Sequence, residues 1–143
     1  MKLFNFVLVV GFFSIANLAH ANDLTVTFQQ VNANGGNIFY DLYNSEANFT
    51  AEDSETQTGS FPAVTGNDTI TLHNLPAGFY ALTAFHDTNG NGVLDRNFLG
   101  LPEEQFAISN ITRTLWSSPG WDEVKFEVVD GQTTSINMLL KMQ

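Results

Sequence analysis

The sequence predicts an all-β fold, a single antiparallel β-sandwich of six to seven short strands. Three observations carry that reading. Apolar and polar residues alternate at every second position through most of the chain beyond Ala21. Clusters of Asn, Gly, Asp and Pro separate the alternating runs, as turns between strands do. No stretch carries a sustained helical stripe of apolar residues.

The chain opens MKLFNFVLVVGFFSIANLAHA. Lys2 gives a short positive start, Leu3 to Leu18 is mostly apolar, and Ala19-His20-Ala21 is a small-residue cleavage site. This is the pattern of a secretory signal peptide over residues 1–21. Ser14 and Asn17 interrupt the apolar run, which is short for a membrane span. The folded product is then expected to be one domain, residues 22–143, exported to the periplasm or outside the cell. The chain has no cysteine, so neither a disulfide nor a lipid anchor at the cleavage site is open to it.

Within that domain LTVTFQQ places Leu24, Val26 and Phe28 on one face, and IFYDLYN does the same with Ile38, Tyr40 and Leu42. Asn34-Gly35-Gly36-Asn37 lies between them, so the two strands are expected to form a hairpin. Ser45 to Thr65 is polar and reads as a loop with a short helical turn. DTITLHNL alternates again, and Pro76-Ala77-Gly78 turns the chain. GFYALTAFHD is apolar on both faces, the mark of a central strand covered on both sides. After a long Asn/Gly-rich segment, Val124, Phe126 and Val128 share one face. Asp130-Gly131 turns, and Ile136, Met138 and Leu140 face the core.

Beyond the leader, all fifteen Asp and Glu residues remain, against Arg96, Arg113, Lys125 and Lys141. So acidic a domain lacks the basic patch that nucleic acid or an anionic membrane surface requires. No second apolar segment is long enough for membrane insertion. The charge suits cation binding, and equally the solubility of an exported protein.

The segment HDTNGNGVLDRNFLG, His86 to Gly100, carries the chemistry. Asp87, Asn89 and Asn91 alternate as the first three side-chain ligands of a calcium loop do. Gly92 permits the bend, Val93 stands where a carbonyl ligand belongs, and Asp95 stands where an acid often completes the set. Calcium wants six to eight oxygens, and alternate residues of a tight loop converge on one point. The closing bidentate Glu is missing, for Phe98 occupies its place. Glu103 or Glu104 supplies a carboxylate only if the chain folds back. Two amide ligands in place of carboxylates imply weak, sub-millimolar to millimolar affinity. The competing reading is an Asn/Gly turn whose side chains bond their own backbone.

His86 falls on the inward parity of its strand and could act as a general base with Asp87 or Glu103 in a hydrolase or lyase. It more readily buttresses the loop, since spacing specifies no third group. His73 falls on the outward parity. There is no cysteine and no G-x-S-x-G, and Ser109, Ser117 and Ser118 have no triad context. Trp116 and Trp121 flank Pro119-Gly120 and form either a carbohydrate-stacking platform or a plug over one end of the core.

The run LPAGFYALTAFHDTNGNGVLDRNFLGLPEEQFAISN, Leu75 to Asn110, resembles the exported bacterial family DUF2141, a domain of unknown function. The shared pattern falls on Leu75, Pro76, Gly78, Tyr80, Ala81, Phe85, His86, Asp87, Asn89 to Gly92, Leu94 and Asp95. It continues through Asn97, Leu99, Gly100, Pro102, Glu103, Ser109 and Asn110. The chain departs from it at Phe106-Ala107-Ile108, where the family tends to carry Tyr-Gly-Phe. The resemblance implies an immunoglobulin-like or transthyretin-like sandwich and no particular activity. Because its pattern runs well past Asp95, Asp87 to Asn110 reads as one folded excursion, with Glu103 or the Asn110 amide returning to the loop. The expected role is a non-enzymatic exported module, calcium-stabilised, that binds a protein or glycan partner. The alternatives are the His86 hydrolase or lyase and the Trp116/Trp121 carbohydrate-binding module.

Overall fold

The computed structural model describes residues 22–32, 35–51, 55–113 and 117–142. The expected leader at 1–21, Asn34 and Trp116 lie outside the described residues. The elements run β1 (Asp23–Val31), β2 (Asn37–Tyr43), α1 (Glu46–Ala51), β3 (Gln57–Pro62), β4 (Gly66–Leu72) and β5 (Gly78–Asp87). They continue as β6 (Phe106–Ile108), α2 (Trp121–Val124), β7 (Phe126–Val128) and β8 (Thr133–Leu139). The protein is mostly β, in two sheets. One has the order β4-β1-β8; the other has β3-β2-β5-β6, with β7 also paired to β5. All pairings are antiparallel except β1 with β8, which run parallel.

One core joins the two sheets. Leu24, Val26 and Phe28 of β1 meet Ile38, Tyr40 and Leu42 of β2, Leu82 of β5 and Met138 of β8, all buried. The alternation in each strand dictates this, since each buries one face only. As expected, β5 is central. It pairs with β2 on one side and with β6 and β7 on the other.

Three expectations need correction. The first two strands form no hairpin, because β1 and β2 lie in different sheets and face each other across the core. Gln30 turns to φ 61 where the β1 register breaks, and Gly35 and Gly36 take φ 110 and 80. These left-handed residues lead the chain from one sheet to the other. A one-sided strand looks the same from sequence whether its neighbour lies beside it or opposite. The polar stretch from Ser45 contains a strand, β3, as well as the short helix α1. Its alternation hides behind small residues: Gly59 lies under the Tyr40 ring, where a Cβ would meet the phenol oxygen at 2.5 Å. Among the described residues there are eight strands, two of them only three residues long.

Ala107 sits in β6 opposite Ala84, buried and in ordinary extended backbone. Replacing a family glycine there introduces no strain.

Candidate functional site

The end of β5 and the excursion after it form a dense hydrogen-bonded polar structure. His86 is 0% exposed, and its Nε2–H donates to the Gly35 carbonyl at 2.8 Å. Its Nδ1 has no hydrogen-bond partner among the described residues. Its backbone N–H donates to the Gln105 carbonyl at 2.9 Å. The imidazole therefore ties the 35–36 turn to β5 from a fully buried position.

Asp87 is 1% exposed. Its Oδ1 accepts the N–H groups of Gly90 at 2.7 Å and Asn91 at 3.3 Å, and its Oδ2 accepts Gly92 at 2.8 Å. Burial alone pushes this carboxyl up. The N–H groups of Gly92, Gly90, Asn91 and Asn89 outweigh it and hold Asp87 below its ordinary value. The two amides repeat the pattern on a smaller scale. Asn89 Oδ1 accepts the Asn91 N–H at 3.0 Å, and Asn91 Oδ1 accepts the Val93 N–H at 2.9 Å. These are Asx turns. Both amide nitrogens converge on half-exposed Asp95, Asn89 donating to Oδ2 and Asn91 to Oδ1 at 2.9 Å. Gly90 and Gly92 supply the left-handed corners, at φ 79 and 77.

The chain does fold back, and Glu104 is the carboxylate that returns. It is buried, accepts the Thr88 N–H at 2.8 Å and the Thr88 hydroxyl at 3.2 Å, and takes the Asp95 N–H at 3.3 Å. Glu103 is exposed and contributes only its backbone N–H, to the Asp95 carbonyl at 2.8 Å. Neighbours on an extended chain point apart, so only one of the pair can turn inward, and sequence does not say which. Asn110 is elsewhere: its amide bonds the Lys125 carbonyl at 2.7 Å. Buried Ser109 is likewise structural, its hydroxyl donating to the Val124 carbonyl at 2.7 Å and accepting the Leu82 N–H at 3.0 Å.

The donor set suits a hard cation in chemistry, being all oxygen. Its geometry is more committed. Both Asp87 oxygens and both Glu104 oxygens hold backbone N–H groups. Among the described residues no group of three or more His, Asp or Glu is gathered to hold a metal ion. A cation at this loop would rest on Asp95, the Asn89 and Asn91 amides and a carbonyl such as that of Val93.

Past Asp95 the chain makes a small rigid finger. Asn97 N–H donates to the Leu101 carbonyl at 2.9 Å, and Arg96 bridges to Pro102. The Asn97 side-chain oxygen accepts the N–H groups of Leu99 at 2.9 Å and Leu101 at 3.1 Å. Arg96 donates to the Gly100 carbonyl at 3.1 Å. The finger carries Phe98, 95% exposed, and Leu99, 68% exposed. A family model described as an uncharacterized protein conserved in bacteria, DUF2141, matches residues 26–137. The chain belongs to that family. No curated protein and no solved structure matches it. The DUF2141 pattern of the excursion is thereby given its physical content. Asp87, Asn89, Gly90, Asn91, Gly92, Asp95 and Asn97 are the residues whose side chains or backbone angles hold the loop and finger in shape.

Sequence reasoning passed over Gln105. Its amide donates to the carbonyls of Gln30 at 2.9 Å and Leu140 at 3.2 Å and accepts the Asn32 N–H at 2.9 Å. It joins the excursion to the opposite sheet. A lone Gln before a short strand carries no signal that would have found it. Trp121 is half-buried at the start of α2, tilted against Phe49 with ring centroids 6.1 Å apart.

Proposed function

We propose that this DUF2141 protein is an exported, non-enzymatic binding module that presents the finger at Phe98 to a protein partner. The observation that supports it is a phenylalanine almost wholly in water on a loop whose backbone is hydrogen-bonded around it. Exposing such a ring forgoes about 2 kcal/mol of burial, and rigid, exposed aromatic residues are the usual anchors of interfaces. The fold we assign to it is an immunoglobulin-like or transthyretin-like sandwich. In favour of this, the Tyr80 hydroxyl donates to the Pro76 carbonyl four residues upstream at 2.8 Å, as in a tyrosine corner. A photo-crosslinking amino acid at position 98 tests the role in producing cells. We expect one discrete adduct at 98 and none from the same label at exposed Thr133. No adduct at either site overturns the proposal.

Calcium at the loop is a second reading, favoured by the oxygen-bearing side chains of Asn89, Asn91 and Asp95 within one tight loop. A melt in EDTA and in millimolar calcium decides it. At a hundred times its dissociation constant the ion adds about 2.7 kcal/mol, a rise of several degrees that Asp95→Asn removes. Equal melting points leave the loop as a carboxylate-capped turn.

A further inference from the structure

The excursion, α1 and the segment before α2 border a space over the outer face of the larger sheet. Residues lie across it in register. Thr58, Asp41, Thr83 and Ile108 form one row. The next is Ser60, Phe39, Phe85 and Phe106. The Phe39 and Phe85 rings stack at 5.3 Å. On the other side of Asp41, Tyr43 stands edge-on to Phe49 at 5.7 Å, and Phe49 leans on Trp121. Leu94, Arg96, Leu101 and Pro102 of the excursion wall the space, leaving a cleft of about 700 Å³ open to solvent. That is the size of a small-molecule site.

Asp41 is out of place as a structural residue. Aspartate is disfavoured within strands, and β2 is interior, paired on both sides. The carboxylate is half-buried between aromatic groups, and among the described residues no ion pair compensates it. Burial pushes its pKa up, the Thr58 hydroxyl draws it down, and Glu55 adds a smaller upward push. Among the described residues the lining carries Asp41, Glu46 and Glu55 against one cation, Arg96, and Arg96 makes no ion pair with any of them.

We propose that this cleft binds a primary ammonium ligand with an apolar body, its amine on Asp41 and its body between the Phe85 and Tyr43 sides. An ammonium group brings the missing charge and three donors. Asp41 accepts directly, and the hydroxyl of Thr83, on the neighbouring strand and in the cleft lining, stands to accept another. The rings take the body and favour the cation further. An anion meets three carboxylates, and a neutral sugar leaves Asp41 uncompensated. The proposal does not rest on docking at the finger tip, for Phe98 is not part of the cleft lining.

A heteronuclear NMR titration of the purified protein with phenethylamine and with its neutral counterpart, phenethyl alcohol, tests it. We expect saturable shifts at the amides of Asp41, Thr83, Phe85 and Ile108 with the amine, and binding of the alcohol at least about tenfold weaker. Asp41→Asn, which keeps the shape, should bring the amine down to the level of the alcohol. Phe98→Ser should leave amine binding as in wild type. Equal binding of amine and alcohol, wild-type affinity in Asp41→Asn, or saturable shifts with an oligosaccharide and none with the amine would each overturn the proposal.

Discussion

At position 87 a carboxylate is enclosed by protein and still holds its charge, because four backbone N–H groups favour the ionised form. Its pKa lies below the ordinary value of 3.8. A group depressed in the folded state stabilises it above the unfolded pKa, and that contribution is lost as pH falls through the folded pKa. Acid melting curves of Asp87→Asn should therefore be flatter below pH 3.8 than those of wild type. At neutral pH, Asp87→Ala should cost about 3 kcal/mol, roughly 10 °C in melting temperature. Asp41 has the opposite sign. Its raised pKa means the folded state prefers the protonated carboxyl, a stabilisation complete below 3.8 and lost as pH rises through the folded value. Asp41→Asn should therefore melt higher than wild type at neutral pH and level with it in acid. Stability given up at one residue in an aromatic cleft is the expected signature of a binding group.

At the scale of elements, the long alternating strands were legible, while β3, β6 and the partners of each strand were not. The alternation in Leu24 to Phe28 and Ile38 to Leu42 reports one buried face, which two strands show equally in one sheet or in two. Among the described residues, left-handed Gln30, Gly35 and Gly36 mark the crossing, and the first is not a glycine. The loop was legible for a different reason. Its Asn and Gly residues act on their own neighbours, so spacing alone encodes the Asx turns. The return of Glu104, the wandering of Asn110 to Lys125 and the bridge made by Gln105 are long-range, and no local pattern records them. The turn before β2 is coupled to the loop by close packing: a Cβ on Gly36 would sit 2.2 Å from the Asp87 carbonyl oxygen. Gly36→Ala, strained at φ 80 as well, should cost at least about 2 kcal/mol in a denaturant titration.

In the molecule as a whole, the excursion is stitched to both sheets. Glu104 closes the loop, Gln105 reaches Gln30 and Leu140, and Phe106 exchanges backbone hydrogen bonds with Lys141. The finger is thus anchored to the core through the same residues that shape it, while Phe98 is left in water. One face of the excursion walls the Asp41 cleft, and its tip at Phe98 is not part of that lining. This platform is held by its own carboxylates and amides. Amide hydrogen exchange in EDTA, read at Thr88, Gly90, Gly92, Leu99 and Leu101, tests it most directly. These surface amides should exchange at least about a hundredfold more slowly than an unstructured chain. Exchange at the unstructured rate would mean that the loop is not pre-formed and that nothing holds Phe98 in place.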